Sequence, residues 1–189
     1  MNDFNLVVST ARDFERQAEC ELWFNLLALG DETPIIFRPG VPGLILAKTS
    51  IEPKQLGIFL QKMLDNRDPN YVQFIFKIYP LDTVVESSPE IIRDACLNLV
   101  KTHPLCQNPD SHYRITIRKR FTNLKTDAII SLIAEKISFA VSLQKYDWIL
   151  QLEIIGDMTG IAILRDEDVF APKKEKEHII EHQLTDISE

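Results

Sequence analysis

The chain has 189 residues, 45% of them hydrophobic and 26% charged, a balance that suits one medium domain or two small subdomains with a sizeable core. Its formal net charge of -7 excludes a protein that is basic over its whole surface, and no apolar run reaches the roughly 18 residues needed to span a bilayer. The acidic start Met1-Asn2-Asp3 lacks the pattern of a signal peptide, and three cysteines, at 20, 96 and 106, are too few and too odd for a disulfide framework, so a cytoplasmic location is expected.

Phe4 to Val8 is a short apolar run, read as a strand. Thr10 then fits the cap of a helix with Asp13 three positions on, and Phe14, Ala18, Leu22, Leu26 and Leu29 recur at helical spacing until Gly30 and Asp31. Pro34 to Arg38 and Leu44 to Lys48 read as strands joined through Pro39, Gly40, Pro42 and Gly43. Their apolar runs suit burial on both faces, as at a subunit interface. Pro53 opens a second helix with Leu56, Phe59, Leu60 and Met63 on one face. Tyr71 to Tyr79 alternates, with Val72, Phe74, Phe76 and Ile78 on one side. Strand, helix, strand, strand, helix, strand is the ferredoxin-like order.

A second unit follows. Ser88 caps a predicted helix with Pro89 first, and Ile91, Ile92, Ala95, Cys96, Leu99 and Val100 form its apolar stripe up to Pro104. Residues 105–111 read as a loop and Tyr113 to Phe121 as a strand. Thr126 is placed as the cap of a long helix bearing Ile129, Leu132, Ile133, Ile137 and Val141. Trp148 to Ile155 and Gly160 to Leu164 are strands joined by a turn at Gly156-Asp157. Residues 165–189 hold eight acidic and four basic residues and read as a flexible tail or a loosely docked helix.

Charge is unevenly spread. Between 111 and 125 stand Arg114, Arg118, Lys119, Arg120 and Lys125, with no acidic residue. Screening confines distant charge to roughly 8 Å at physiological salt, so a local basic patch can bind phosphate on an acidic protein. With a period of two, Ile115 and Ile117 face the core while Arg114, Thr116, Arg118 and Arg120 share the other face. Three guanidinium groups in a row repel one another, and a polyanion would supply the partner that the strand itself does not. The strand runs through Phe121 to the helix at Thr126, whose first N–H groups favour anions, and Phe121 could stack on an unpaired base. The plainer alternative is a solvated sheet face and a core phenylalanine.

Other clusters carry less. His103, Cys106 and His112 lack the pairing of a metal site, and His178 and His182 lack an HExxH context. Gly40 to Gly43 lacks the Lys-Ser/Thr ending of a phosphate loop. Glu15 and Glu19, near Arg12 and Arg16, read as a solvated ion-pair face rather than an acid/base pair. No set of residues reads as catalytic or metal-binding, and no cofactor is implied.

Four segments in order carry a family resemblance: Glu15-Arg16-Gln17-Ala18 with Glu21 and Gly30-Asp31; Gly40 to Thr49; Ile78-Tyr79-Pro80-Leu81-Asp82 with the 88–103 helix; and Tyr113 to Ile137 closing on Gln151-Leu152-Glu153-Ile154. Over roughly residues 4–170 the chain resembles a THUMP domain preceded by a ferredoxin-like part. The resemblance implies an α+β fold: a ferredoxin-like subdomain over 1–80, an α/β THUMP domain over 81–170 and a charged tail over 171–189. It also implies RNA binding in tRNA modification, with no catalysis of its own, since the stand-alone form resembles an adaptor that brings tRNA to an RNA acetyltransferase making acetylcytidine. Carried over, the RNA-binding residues are Arg114, Arg118, Lys119, Arg120, Lys125 and Thr126, to which the strand pattern adds Phe121. Asp127 departs from the family pattern, since it suits the helix dipole but repels phosphate, and Lys145-Tyr146-Asp147 replaces the family's usual turn. Two alternatives stay open: an enzyme subunit whose active site a partner chain completes, and a protein-interaction module using the acidic tail.

Overall fold

The computed structural model describes residues 3–66 and 72–172. They divide into two compact units, one made of the chain up to Val7 with Pro80–Val169, the other of Val8–Tyr79 joined by Phe170. The fold is α+β, with two sheets and four helices among the described residues.

The first sheet contains β1 (Leu6–Ser9), β2 (Ile35–Phe37), β3 (Leu44–Lys48) and β4 (Lys77–Pro80) in the order β2-β3-β1-β4, the ferredoxin-like arrangement expected. β2 and β3 pair antiparallel, with Ile35 opposite Lys48 and Phe37 opposite Leu46. Helix α1 (Glu15–Ala28) buries Ala18, Leu22 and Leu26, and α2 (Pro53–Asp65) buries Leu56 and Leu60.

The predicted cap at Thr10 is not used. The helix begins at Glu15, behind Phe14 and four residues past the Ala11 start that a Thr10 cap implies, because Thr10 gives its N–H to the Gly43 carbonyl at 3.0 Å and Asp13 takes a left-handed φ of 70°. The alternating run 71–79 is also shorter as a strand than predicted: Tyr71 lies outside the described residues, and only Lys77–Pro80 joins the sheet. The reason is Glu21 on α1, whose carboxylate accepts the N–H groups of Gln73 at 2.5 Å and of Phe74 and Ile75 at 2.9 Å each. Those donors are taken from any ladder.

The second sheet orders as β5-β9-β8-β6-β7, from β5 (Thr83–Glu86), β6 (His112–Arg120), β7 (Ala140–Val141), β8 (Trp148–Ile155) and β9 (Met158–Leu164). β6 runs parallel to β8, and β8 and β9 form an antiparallel hairpin through Gly156, at φ 57°. Helices α3 (Pro89–Thr102) and α4 (Thr126–Ala134) supply Ile92, Cys96, Ile129 and Ile133 to a core with Tyr113, Trp148, Leu150, Leu152 and Ile154. Tyr113 stacks on Trp148 at 4.8 Å and Phe139 meets the same indole edge-on at 5.4 Å. Ile91, placed on the buried stripe of α3, is 41% exposed.

Two strands escaped prediction because they are short. β5 has four residues, and its start is fixed by Asp82, whose carboxylate accepts the Ile163 N–H at 2.7 Å. β7 takes Val141 from the predicted long helix, which ends at Ala134; Ile137 and Phe139 then fold back against the core. Thr126 is the first helical residue, and Lys125 occupies the cap position. Part of the predicted tail is ordered: Asp166–Asp168 form a single turn, and buried Phe170 bridges to Ile78. His178, His182 and the rest of 173–189 lie outside the described residues.

Candidate RNA interface

The β6/β8 register explains where the arginines go. Tyr113, Ile115 and Ile117 belong to or pack on the core, as do Trp148, Leu150, Leu152 and Ile154 of β8. Period-two alternation therefore puts Arg114, Thr116, Arg118 and Arg120 on the opposite face, where their β8 neighbours are Ile149, Gln151, Glu153 and Ile155. Gln151 and Glu153 are both buried, Glu153 completely.

The guanidinium row therefore does have partners within the chain, contrary to the expectation that only a polyanion would supply one. Arg120 Nη1 donates to Glu153 Oε2 at 2.7 Å, and Arg118 Nε lies 3.8 Å from Oε1. Gln151 Nε2 donates to that same Oε1 at 2.8 Å. Burial pushes the Glu153 pKa above the usual carboxylate value, while Arg120, Arg118 and Gln151 pull against it. The arginine side chains keep an outer face: 39% of Arg118 and 23% of Arg120 are exposed.

Arg114 stands apart from this pair. Its guanidinium lies 4.1 Å from the centre of the Tyr146 ring and 3.9 Å from Asp166, which also accepts the Tyr146 hydroxyl at 2.8 Å. A cation–π contact and a carboxylate at ion-pair distance hold it, while its buried Nε has no hydrogen-bond partner among the described residues. Burial, then the Asp166 hydrogen bond, raises the Tyr146 pKa.

The far end of β6 is more open. Phe121 takes a left-handed φ of 55° and is 70% exposed, so it is not the core residue of the plainer reading. A left-handed conformation costs a non-glycine residue about 1–2 kcal/mol, and such strain often accompanies function. Lys119 points to the α4 side and donates from Nζ to the Leu124 carbonyl at 2.9 Å, bracing the loop that presents Phe121. Lys125 is exposed and makes no ion pair or side-chain hydrogen bond among the described residues. The start of α4 has no side-chain cap, and Asp127 sits in its first turn. The structure thus brings Lys119, Phe121, Lys125 and Thr126 together at one loop, sets Arg118 and Arg120 on the other face of the same strand end, and separates Arg114.

The remaining candidates have structural employment. Glu15 accepts the Gly43 N–H at 2.5 Å, which is the largest cause of its lowered pKa, and Glu19 pairs with Arg38 at 3.2 Å; neither pairs with Arg12 or Arg16 as read from spacing. Gly43, at φ 72°, leaves no room for a side chain, since a Cβ would stand 2.8 Å from the Thr10 carbonyl oxygen. His103 Nδ1 accepts the Leu105 N–H at 3.2 Å, and Cys106 is buried with its thiol pushed up to about 12 by burial and then by Asp82. Among the described residues no three metal-ligating side chains converge, and no helix is long and apolar enough to cross a membrane.

Two features went unseen in the sequence. Asp31, taken only as a helix stop, is buried and accepts from Thr49 Oγ1 at 2.5 Å, Ser50 N at 3.1 Å and Ser50 Oγ at 2.9 Å. Burial alone would raise its pKa; these bonds outweigh it and hold the value low. Helix α1 also carries a second stripe, Arg16, Glu19, Cys20, Trp23 and Phe24, which lines a groove of about 670 Å³ with Pro34, Ile36 and Arg38. Their spacing of three and four was legible in the sequence, but the buried stripe beside it claimed the helix.

No protein-family model and no curated protein matches the chain. Among solved structures, PH1313 from Pyrococcus horikoshii Ot3 is similar with a TM-score of 0.66 and 19% identity, over 90% of this chain and 56% of that one. A 4-thiouridine synthetase, solved as an RNA complex with bound ATP, gives 0.54 and 13% identity over 89% and 42%. TrmN from Thermus thermophilus gives 0.54 and 10% identity over 84% and 44%. The chain thus spans about half the length of these proteins, or less, and shares their fold, in agreement with the THUMP-type α+β architecture expected from its sequence.

Proposed function

We propose that the chain binds tRNA through the end of β6 and the start of α4, and serves as an adaptor that presents the RNA to a separate modifying enzyme, a cytidine acetyltransferase. The observation that carries this reading is Phe121, strained and exposed in the loop that Lys119 braces, with the exposed Lys125 following it at an uncapped helix start. An aromatic ring offers a stacking face to an unpaired base, and the cations and helix N–H groups suit the adjoining phosphates. The shared fold supports it, because the 4-thiouridine synthetase of that fold was solved with RNA.

In a gel-shift titration with unfractionated tRNA, the triple variant Lys119→Ala, Phe121→Ala, Lys125→Ala should bind at least tenfold more weakly, with an unchanged melting temperature. Unchanged binding rejects the interface. A modification assay with purified acetyltransferase tests the adaptor role: acetylation of tRNA should need both proteins, and any modification by this chain alone would show it to be an enzyme. A partner whose active site this chain completes would instead lose activity when non-RNA-binding residues here are changed.

A further inference from the structure

Glu153 is the unexplained group of this sheet. Its strand, β8, is buried at all eight positions, and an apolar side chain there would do as well or better for stability than an ion pair taken out of water. Both its oxygens are engaged: Oε2 by Arg120, Oε1 by Gln151 and, more distantly, by Arg118. Each guanidinium has five donors, and both side chains stay partly exposed. Two residues of strand set them about 6.6 Å apart, the scale of the step between neighbouring phosphates.

We propose that Glu153 is a positioning residue for phosphate recognition: from inside the sheet it fixes Arg118 and Arg120 in register, with their outward donors aligned along the RNA backbone. This rests on the RNA-binding reading above. Two long, flexible side chains thereby lose their rotamer freedom on folding rather than on binding, and the planar fork of arginine makes such alignment useful where lysine would gain little. The carboxylate acts through the arginines and does not touch RNA.

The sign of one substitution decides between positioning and simple charge. Removing a negative group beside two cations should, by electrostatics alone, tighten tRNA binding. Positioning requires the opposite: Glu153→Gln should weaken unfractionated tRNA at least fivefold, and Glu153→Asp, which keeps the charge but reaches less far, should also weaken it. In an Arg118→Ala background, where only Arg120 is left to position, Glu153→Gln should cost less affinity than in the parent, whereas a merely structural effect would keep its full size there. Should Glu153→Gln not fold, as judged by circular dichroism, Gln151→Met removes the donor that locks Oε1 and should cost two- to fivefold. The proposal is overturned if these variants bind like the parent or tighter, or if the cost is the same without Arg118. If the triple loop variant and Arg118→Ala both leave binding unchanged, the RNA reading itself fails and this inference falls with it. If they weaken binding while the Glu153 and Gln151 variants do not, only the positioning role is lost.

Discussion

Among the described residues each unit of the chain encloses one acidic side chain, and the two are satisfied in opposite ways. Asp31 is met by hydroxyl and backbone donors that carry no charge, from Thr49 and Ser50 and from the Thr33 N–H two residues on. Glu153 is met by two arginines of the neighbouring strand β6 and by an amide two residues back on its own strand. Neutral donors fasten a turn and leave nothing over. Charged donors fasten the sheet and retain outward capacity, so only the second arrangement can also serve a ligand. The largest effect expected from this contrast is at Arg120. Arg120→Ala leaves a buried carboxylate with its nearest cation gone, a loss of about 3 kcal/mol, or roughly 6–12 °C in melting temperature. Arg120→Ala combined with Glu153→Gln should recover most of it. A full-sized loss in the double variant would mean that the pairing matters little. For the same reason, removing Arg118 and Arg120 together is expected to destabilise the fold as well as RNA binding, and is a poor probe of binding alone.

The second test uses pH, because the two carboxylates have opposite shifts. Asp31 is held below its ordinary value, so its stabilisation is present above the unfolded pKa and lost as pH falls through the folded one. The stability of wild type minus Asp31→Asn should therefore widen between acid and neutral pH. Glu153 is pushed above its ordinary value, so its contribution is greatest at low pH and declines as pH rises through the folded pKa. The difference between wild type and Glu153→Gln should narrow over the same interval. Denaturant melts from pH 3 to 7 check both slopes, and parallel curves would break the contrast.

How much of this could be read from residues follows from the range of each interaction. Helical spacing in α1 and the alternation of β6 are local, and they placed Leu22, Ile115 and Arg118 on the faces they occupy. The pattern of 71–79 misled because the donors of Gln73, Phe74 and Ile75 are claimed by Glu21, some fifty positions earlier. The five cationic RNA-contact candidates were legible as a charge cluster, but Arg118 and Arg120 are backed by Glu153, 33 positions beyond Arg120. Nothing in the strand's own alternation announces that partner; the β8 sequence shows Gln151 and Glu153 as polar interruptions of an apolar run, and the parallel register alone brings them beside the arginines.

The smallest expected effect is also the cleanest comparison with the anchored arginines. Lys125 is exposed, occupies the cap position of α4 through its backbone, and has no side-chain partner among the described residues. Lys125→Ala should leave the unfolding free energy within about 0.5 kcal/mol of the parent. If its ammonium neutralises one phosphate, the slope of log K against log salt should fall by about 0.7–0.9, and the loss of affinity should be nearly uniform across tRNA sequences. Arg118→Ala should instead lower affinity and stability together, because its guanidinium also faces Glu153. A salt slope that does not move on losing Lys125 would take the helix start out of the interface and shift the site onto the arginine face of β6.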